Sequence, residues 1–192
     1  MMRLIKHTLF STRKITAMTL NKMFSSRWFC AVLCMILLFG NSAYSQSKVR
    51  YVTKYKETAI AIMNETGIPA SIILGIAMLE SGMGTSKNAR LLHNHFGIVG
   101  KNKLHKKKGV TYRSRYREFE SDDASFQYFA KMVQKKKYYS KMKGDPKYKD
   151  WLKHMNDSGY SAAGQVWEKR VAGMISRYKL YKLDEQMAYS KK

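Results

Sequence analysis

Ile72 to Ser86 reads IILGIAMLESGMGTS. An apolar run meets one carboxylate, Glu80, and the glycines Gly82 and Gly84 follow at once. The pattern predicts a helix that stops at the glycines, where the chain can turn and bring backbone close to a ligand. On a 3.6-residue period Glu80 shares a side with Ile73, Ile76 and Ala77, the side expected to meet the core. Poor solvation and the negative end of the helix dipole there would both favour a neutral carboxyl, the form a general acid needs. A glutamate that turns to solvent at a fraying helix end fits the local pattern equally well.

Outward from this stretch, Val52, Tyr55, Ala59, Ile62 and Met63 recur at helical spacing, and Gly67-Ile68-Pro69 separates that helix from the next. Ser86 to Leu92 reads as a short helix ahead of Asn94-His95-Phe96-Gly97-Ile98. Residues 98–119 change character, with Gly100, Gly109 and the run Lys106-Lys107-Lys108 between partly alternating segments. They are expected to form a small β-hairpin or ordered loop with a basic, solvated tip. Helix returns at Ser121, an N-cap followed by Asp122 and Asp123, with Phe126, Phe129 and Val133 as its stripe. Asp145-Pro146 repeats the start signal for a helix burying Tyr148, Trp151, Leu152 and Met155, closed by Gly159. A last helix is expected from about Ala163 to Tyr178, burying Trp167, Val171, Met174, Ile175 and Tyr178. The fold class is mainly α, with one small β or loop element.

The first 45 residues hold six basic side chains and no acidic one, and they contain the 13-residue apolar run Trp28 to Gly40. That is short for a bilayer span and suits a signal-peptide core, with Ala43 and Ser45 as the small residues before cleavage at Gln46. An uncleaved membrane anchor is the alternative, and Met18 or Met23 is an alternative start. Either way residues 46–192 are expected to be exported, to a periplasmic or extracellular location. Cys30 and Cys34 both lie in the apolar run, so the exported part has no disulfide.

Residues 46–192 carry 30 basic and 13 acidic side chains, a formal charge of +17. That charge points to an anionic partner, either an acidic surface or a cell-wall polymer, and export argues against nucleic acid. The membrane is reached only through the N-terminal segment, and a monomer is the default. His93, His95, His105 and His154 have no spacing typical of a zinc site, so no metal and no cofactor is expected. A serine elbow, a cysteine nucleophile and a phosphate loop are all absent from the sequence. Carboxylate chemistry remains. Of the 13 candidates, Glu57, Glu65, Asp150, Asp157, Glu168, Asp184 and Glu185 are expected on polar faces or helix ends, and Asp145 as a cap. Glu118, Glu120, Asp122 and Asp123 cluster after the hairpin; only Glu80 sits in an apolar segment. A buried acid facing a more solvated carboxylate is the arrangement used to cleave glycosidic bonds.

GIPASIILGIAMLESGMGTS, then NHFGI, then YREFESDDASFQYF, resembles the glucosaminidase domain of bacterial cell-wall hydrolases, glycoside hydrolase family 73. The segment DWLKHMNDSGYSAAGQVWEKRVAGMISRYKLYKLDE looks like the end of that domain as found in secreted Bacteroidetes-type forms. The resemblance covers roughly residues 50–186. It implies a lysozyme-like α+β fold, a helical bundle around a substrate groove, and hydrolysis of the β-1,4 bond after N-acetylglucosamine in peptidoglycan. It places the catalytic acid on Glu80, lines the groove with Asn94, Phe96 and Gly97, and brings Tyr160 to the cleavage point. Many members carry a second glutamate in the hairpin, whereas residues 98–117 hold no acidic residue. Glu118, Glu120, Asp122 or Asp123 are candidates to replace it, Asp123 and Glu120 foremost; the substrate's own 2-acetamido group, or a water held by Tyr160, are the others. A muramidase cut, or a non-catalytic peptidoglycan-binding domain on the same fold, are the alternative functions.

Overall fold

The computed structural model describes residues 50–103 and 114–187. The expected export segment, His105 and the Lys106–Lys108 tip lie outside them. The described chain is helical in sequence order: α1 over residues 50–66, α2 Ala70–Ser81, α3 Lys87–Leu92, α4 Asp122–Gln134, α5 Tyr139–Met142, α6 Tyr148–Asp157 and α7 Gly164–Arg177. A 3-10 helix, Leu180–Gln186, follows. Neither it nor α5 was expected from the sequence. Among the described residues no helix is long and apolar enough to cross a membrane.

Everything is arranged on α2. Ala70 to Met78 are buried without exception, so this helix is covered on all sides rather than along one stripe. A helix that is apolar all round belongs at the centre of a core. It packs on α7, the 3-10 helix and α6, and its small Gly75 lets α7 approach closely: a Cβ there would lie 2.7 Å from Cγ1 of Ile175 and 3.3 Å from Cγ1 of Val171. Tyr51, Tyr55, Ala59, Ile62 and Met63 of α1 join the same core, with Phe126, Phe129 and Val133 of α4 and Trp151, Leu152 and Met155 of α6. Met174 of α7 and Tyr178, which follows it, are only half-buried.

The helix starts divide between local and remote caps. Ser86 and Ser121 each accept a backbone N–H three residues on, from Ala89 and Ala124 at 3.1 Å, as expected for N-caps. α6 begins after Lys147 with no side-chain cap; Asp145 instead accepts the N–H of Lys147 at 2.9 Å, fixing the turn ahead of the helix. α2 begins at Pro69, which has no side chain to cap with. Its orphan N–H groups are met from the far end of the chain, where Asp184 Oδ1 accepts the Ser71 N–H at 2.9 Å.

Asp184 is therefore no surface carboxylate: it is 5% exposed. Burial pushes its pKa from 3.8 up to about 6, against the opposing hydrogen bonds from Ser71 and Ala70. Because the folded value is the higher one, its contribution to stability is fully present below about pH 4 and is lost as pH rises through 6. At about 1.4 kcal/mol per pKa unit, the ionised form costs the fold about 3 kcal/mol at pH 7. Asp184→Asn keeps an oxygen for Ser71 and cannot ionise. Urea midpoints between pH 4.5 and 7 are expected to fall further in the wild type than in this variant; parallel curves would refute the assignment.

The element between α3 and α4 is an ordered loop with one antiparallel bridge, Val99 to Tyr116, among its described residues. Gly100 N–H bonds Arg115 O at 3.0 Å and Arg117 N–H bonds Ile98 O at 2.7 Å, enough to hold the two arms together without a regular strand pair.

Candidate active site

Glu80 occupies the last turn of α2. Gly82 follows in the left-handed conformation (φ 57°) and returns its N–H to Leu79 O and Met78 O, closing the helix. Met83 and Gly84 also have positive φ, so the chain leaves the helix in a tight coil directly beside the carboxylate. Contrary to the core-facing position expected from the period, Glu80 is exposed. Since α2 is wrapped on every side, the period cannot tell one face from another; the last turn simply projects past the core.

One oxygen of Glu80 is anchored. The indole of Trp167, on α7 and 3% exposed, donates from Nε1 to Glu80 Oε1 at 2.9 Å. The other oxygen faces Gly97, where a Cβ would sit 3.7 Å from Glu80 Oε2 and 3.9 Å from Cε1 of Tyr116. Gly97 has φ 65°, so the backbone favours glycine there, while a Cβ would make only ordinary van der Waals contact with Glu80 and Tyr116. The ring of Tyr160 lies 4.9 Å from that of Trp167 and 6.3 Å, edge-on, from Phe129. Burial, then the charge of Glu80, hold its phenol well above the ordinary tyrosine range. It can donate a hydrogen bond at any working pH and cannot act as a base.

Of the three groove residues implied by the resemblance, only Gly97 borders Glu80. Asn94 is 1% exposed, and its amide is fully used on the backbone: Nδ2 donates to Ile98 O and Arg117 O, both at 2.8 Å, while Oδ1 accepts the N–H of Ile98 at 3.0 Å. It shapes the loop that carries Gly97. Phe96 stacks on Phe129 at 4.3 Å and meets Phe126 edge-on at 5.0 Å, a core residue. Trp167 and Tyr116 were missed as site residues. Trp167 satisfies the burial stripe of α7, but a buried indole N–H needs an acceptor, and that need was the available signal.

The candidate second carboxylates lie elsewhere. Asp123 is exposed and accepts from Thr58 of α1 at 3.0 Å. Glu120 is exposed and lines shallow clefts with Lys101 and Lys103 on one side and with Lys54 and His93 on the other. Neither is brought to Glu80.

Behind the loop sits a polar cluster. His95 is 2% exposed; its Nδ1 is 2.8 Å from the Tyr51 hydroxyl, and its Nε2 is 3.2 Å from Asp122 Oδ1 and 3.4 Å from the Tyr55 hydroxyl. Burial raises Asp122, but hydrogen bonds from Tyr55 at 2.6 Å, Lys54 at 2.9 Å and His93 at 2.8 Å outweigh it and hold the carboxyl well below the usual range. Burial lowers His95, with Asp122 opposing. Among the described residues no group of three histidine, cysteine or acidic side chains is placed to hold a metal ion.

Three solved structures share this fold. The catalytic domain of the autolysin Auto from Listeria monocytogenes aligns with a TM-score of 0.58 at 18% identity, covering 72% of this chain and 88% of that one. The glycoside hydrolase domain of FlgJ from Salmonella typhimurium aligns at 0.55 and 18% identity, covering 70% and 90%. A peptidoglycan hydrolase from Sphingomonas sp. A1 aligns at 0.55 and 21% identity, covering 74% and 97%. The architecture is the α-rich, lysozyme-like one. No curated protein matches the sequence. The glucosaminidase family model, described as mannosyl-glycoprotein endo-beta-N-acetylglucosaminidase, matches residues 56–180. The chain belongs to the glucosaminidase family.

Proposed function

We propose that this protein is a peptidoglycan hydrolase that cleaves the β-1,4 bond after N-acetylglucosamine, with Glu80 as general acid. The observation that carries the reading is the carboxylate itself: it sits exposed at the end of a buried helix, with one oxygen fixed by Trp167 and the other open beside Gly97. Such a group can meet a glycosidic oxygen in a fixed direction. The shielding from water that proton donation requires comes from the sugar when it covers the groove.

Glu80 gives its proton to the leaving oxygen as positive charge develops at the anomeric carbon. Among the described residues, those bordering Glu80 are an indole, a glycine and a phenol. The group opposite therefore comes from the substrate's 2-acetamido oxygen or from a water held by the protonated Tyr160. Export through residues 1–45 delivers residues 46–192 to the wall. Residues 135–144 hold five lysines and no carboxylate. They join the molecule at the Gly67 end of α2, where Tyr139 donates to Thr66 O at 2.7 Å and Gly144 N–H to Gly67 O at 2.9 Å. That end is about 15 Å along the helix from Glu80 at 1.5 Å per residue, so adsorption to anionic wall polymers and bond cleavage use different surfaces.

The test is the purified protein on isolated peptidoglycan, with fragments reduced and identified by mass spectrometry. Reducing ends on N-acetylglucosamine are expected, and sedimentation with the wall should weaken as salt rises past the point where the screening length falls below about 8 Å. Reducing ends on muramic acid would overturn the bond assignment. Binding without any fragment would replace the enzyme by a glycan-binding domain.

A further inference from the structure

We propose that His95 is a positioning residue for Glu80, acting through Tyr51 on the coil that ends the Glu80 helix and through its own loop on Gly97. The proposal rests on the hydrolase reading for its kinetics and on geometry alone for the coupling.

The geometry runs in two directions from one buried ring. On one side, Tyr51 hydrogen-bonds His95 and its ring closes on Gly84, where a Cβ would meet Cε2 of Tyr51 at 3.2 Å. The Tyr51 hydroxyl is also 3.4 Å from Ser81 Oγ. Ser81, next in sequence to Glu80, donates to Ala77 O at 2.6 Å and accepts the Gly84 N–H at 2.8 Å. Tyr51 thus leans on the three-residue coil that fixes where Glu80 points. On the other side, His95 is two residues from Gly97, and Phe96 between them is locked into the core. Moving the ring moves both walls of the Glu80 site.

The proton assignments follow from the partners. Asp122 can only accept, so Nε2 of His95 carries the hydrogen that faces it. Nδ1 is then a lone pair, and the Tyr51 hydroxyl donates to it. Protonating Nδ1 reverses that bond: Tyr51 must become the acceptor, and its hydrogen turns towards Ser81. The groups that face this ring are Tyr51, Lys54 and Tyr55 from α1, His93 from the end of α3, and Asp122 from α4. Only Asp122 favours the added proton; Lys54 and His93 oppose it, as does burial. The reversal therefore occurs on acidification below the ordinary histidine range.

The Trp167 indole N–H reports on Glu80, because the two are hydrogen-bonded. The experiment follows its NMR resonance, together with the ring signals of His95, as pH is lowered. It is done in the wild type and in Glu80→Gln, where the partner of Trp167 no longer titrates. In Glu80→Gln the Trp167 resonance is expected to step in register with His95. The step should vanish when His95→Gln is added; with Tyr51→Phe it should vanish while His95 still titrates. In the active protein, His95→Gln should lower kcat roughly 10- to 100-fold with little change in KM, and should remove the acid limb of the kcat profile. A Trp167 resonance that stays fixed while His95 titrates overturns the coupling, whether or not the protein cleaves its substrate. An acid limb retained in His95→Gln overturns the kinetic role. A wild type that cleaves nothing overturns the hydrolase reading itself.

Discussion

Glu80→Gln is expected to slow glycan cleavage by about 10²–10⁴-fold, the usual worth of a positioned proton donor. The substitution is nearly isosteric, and the amide oxygen can still accept the Trp167 indole hydrogen, so the side chain should keep its place. What it loses is the transferable proton. Because Glu80 is exposed and contributes nothing to the core, the melting temperature should stay within a few degrees of wild type. Binding to the wall should also persist, since the lysine-rich surface lies at the other end of α2. A variant that retains more than about a fifth of the wild-type rate would remove Glu80 from the mechanism. A variant that is inactive but also unfolded would point to a structural role that the exposed position contradicts.

Gly75→Val should produce the largest loss of stability for the fewest atoms added. Even a Cβ at this position would lie 2.7 Å from Cγ1 of Ile175, closer than two carbons can approach. The two further methyl groups of valine would press on Val171 as well. Overpacking of this kind costs about 1–3 kcal/mol and occasionally more. At roughly 2–4 °C per kcal/mol the melting temperature should fall by about 2–12 °C. The partner predicts its own rescue: Ile175→Ala alone should destabilise by leaving a cavity, yet combined with Gly75→Val it should restore part of the loss. Calorimetry on the four proteins of this cycle measures the coupling. Additive effects, or a Gly75→Val variant as stable as wild type, would show that α2 and α7 do not cross where Gly75 and Ile175 meet.

The parts of the fold that could be read from the sequence are those whose causes are local. The Ser121 cap with its two aspartates, the glycine stop after Ser81 and the apolar stripes of α1, α4 and α6 all sit within a few residues of what they determine. Glu80 was legible for the same reason, as a lone carboxylate closing an apolar run. Its orientation was not. A helix with apolar residues on every face gives no periodic signal, and which way its last turn points depends on where the surrounding helices end. Distant pairings were equally illegible. Trp167 meets Glu80 across 87 residues, Asp184 reaches Ser71 across 113, and the burial of His95 depends on α1 and α4 converging on it. Asn94 shows the opposite error: a polar residue in a site motif invites a ligand, but buried amides more often serve the backbone, as this one does.

The Asp184 cap also has a consequence in time. α2 has no side-chain cap of its own, and its Ser71 N–H is satisfied by a residue made 113 positions later. At the roughly 5–20 residues per second of protein synthesis, the interval between the two is on the order of 6–20 s. For most of that interval α2 lacks the α7 face that covers it, and Glu80 lacks the Trp167 hydrogen bond, whose partner is made 87 positions after it; the remote cap comes later still. A nascent chain therefore holds this apolar stretch uncovered and the Glu80 carboxylate unanchored until most of the described residues exist. The proton donation proposed for Glu80 is in this sense a capacity the polypeptide acquires late.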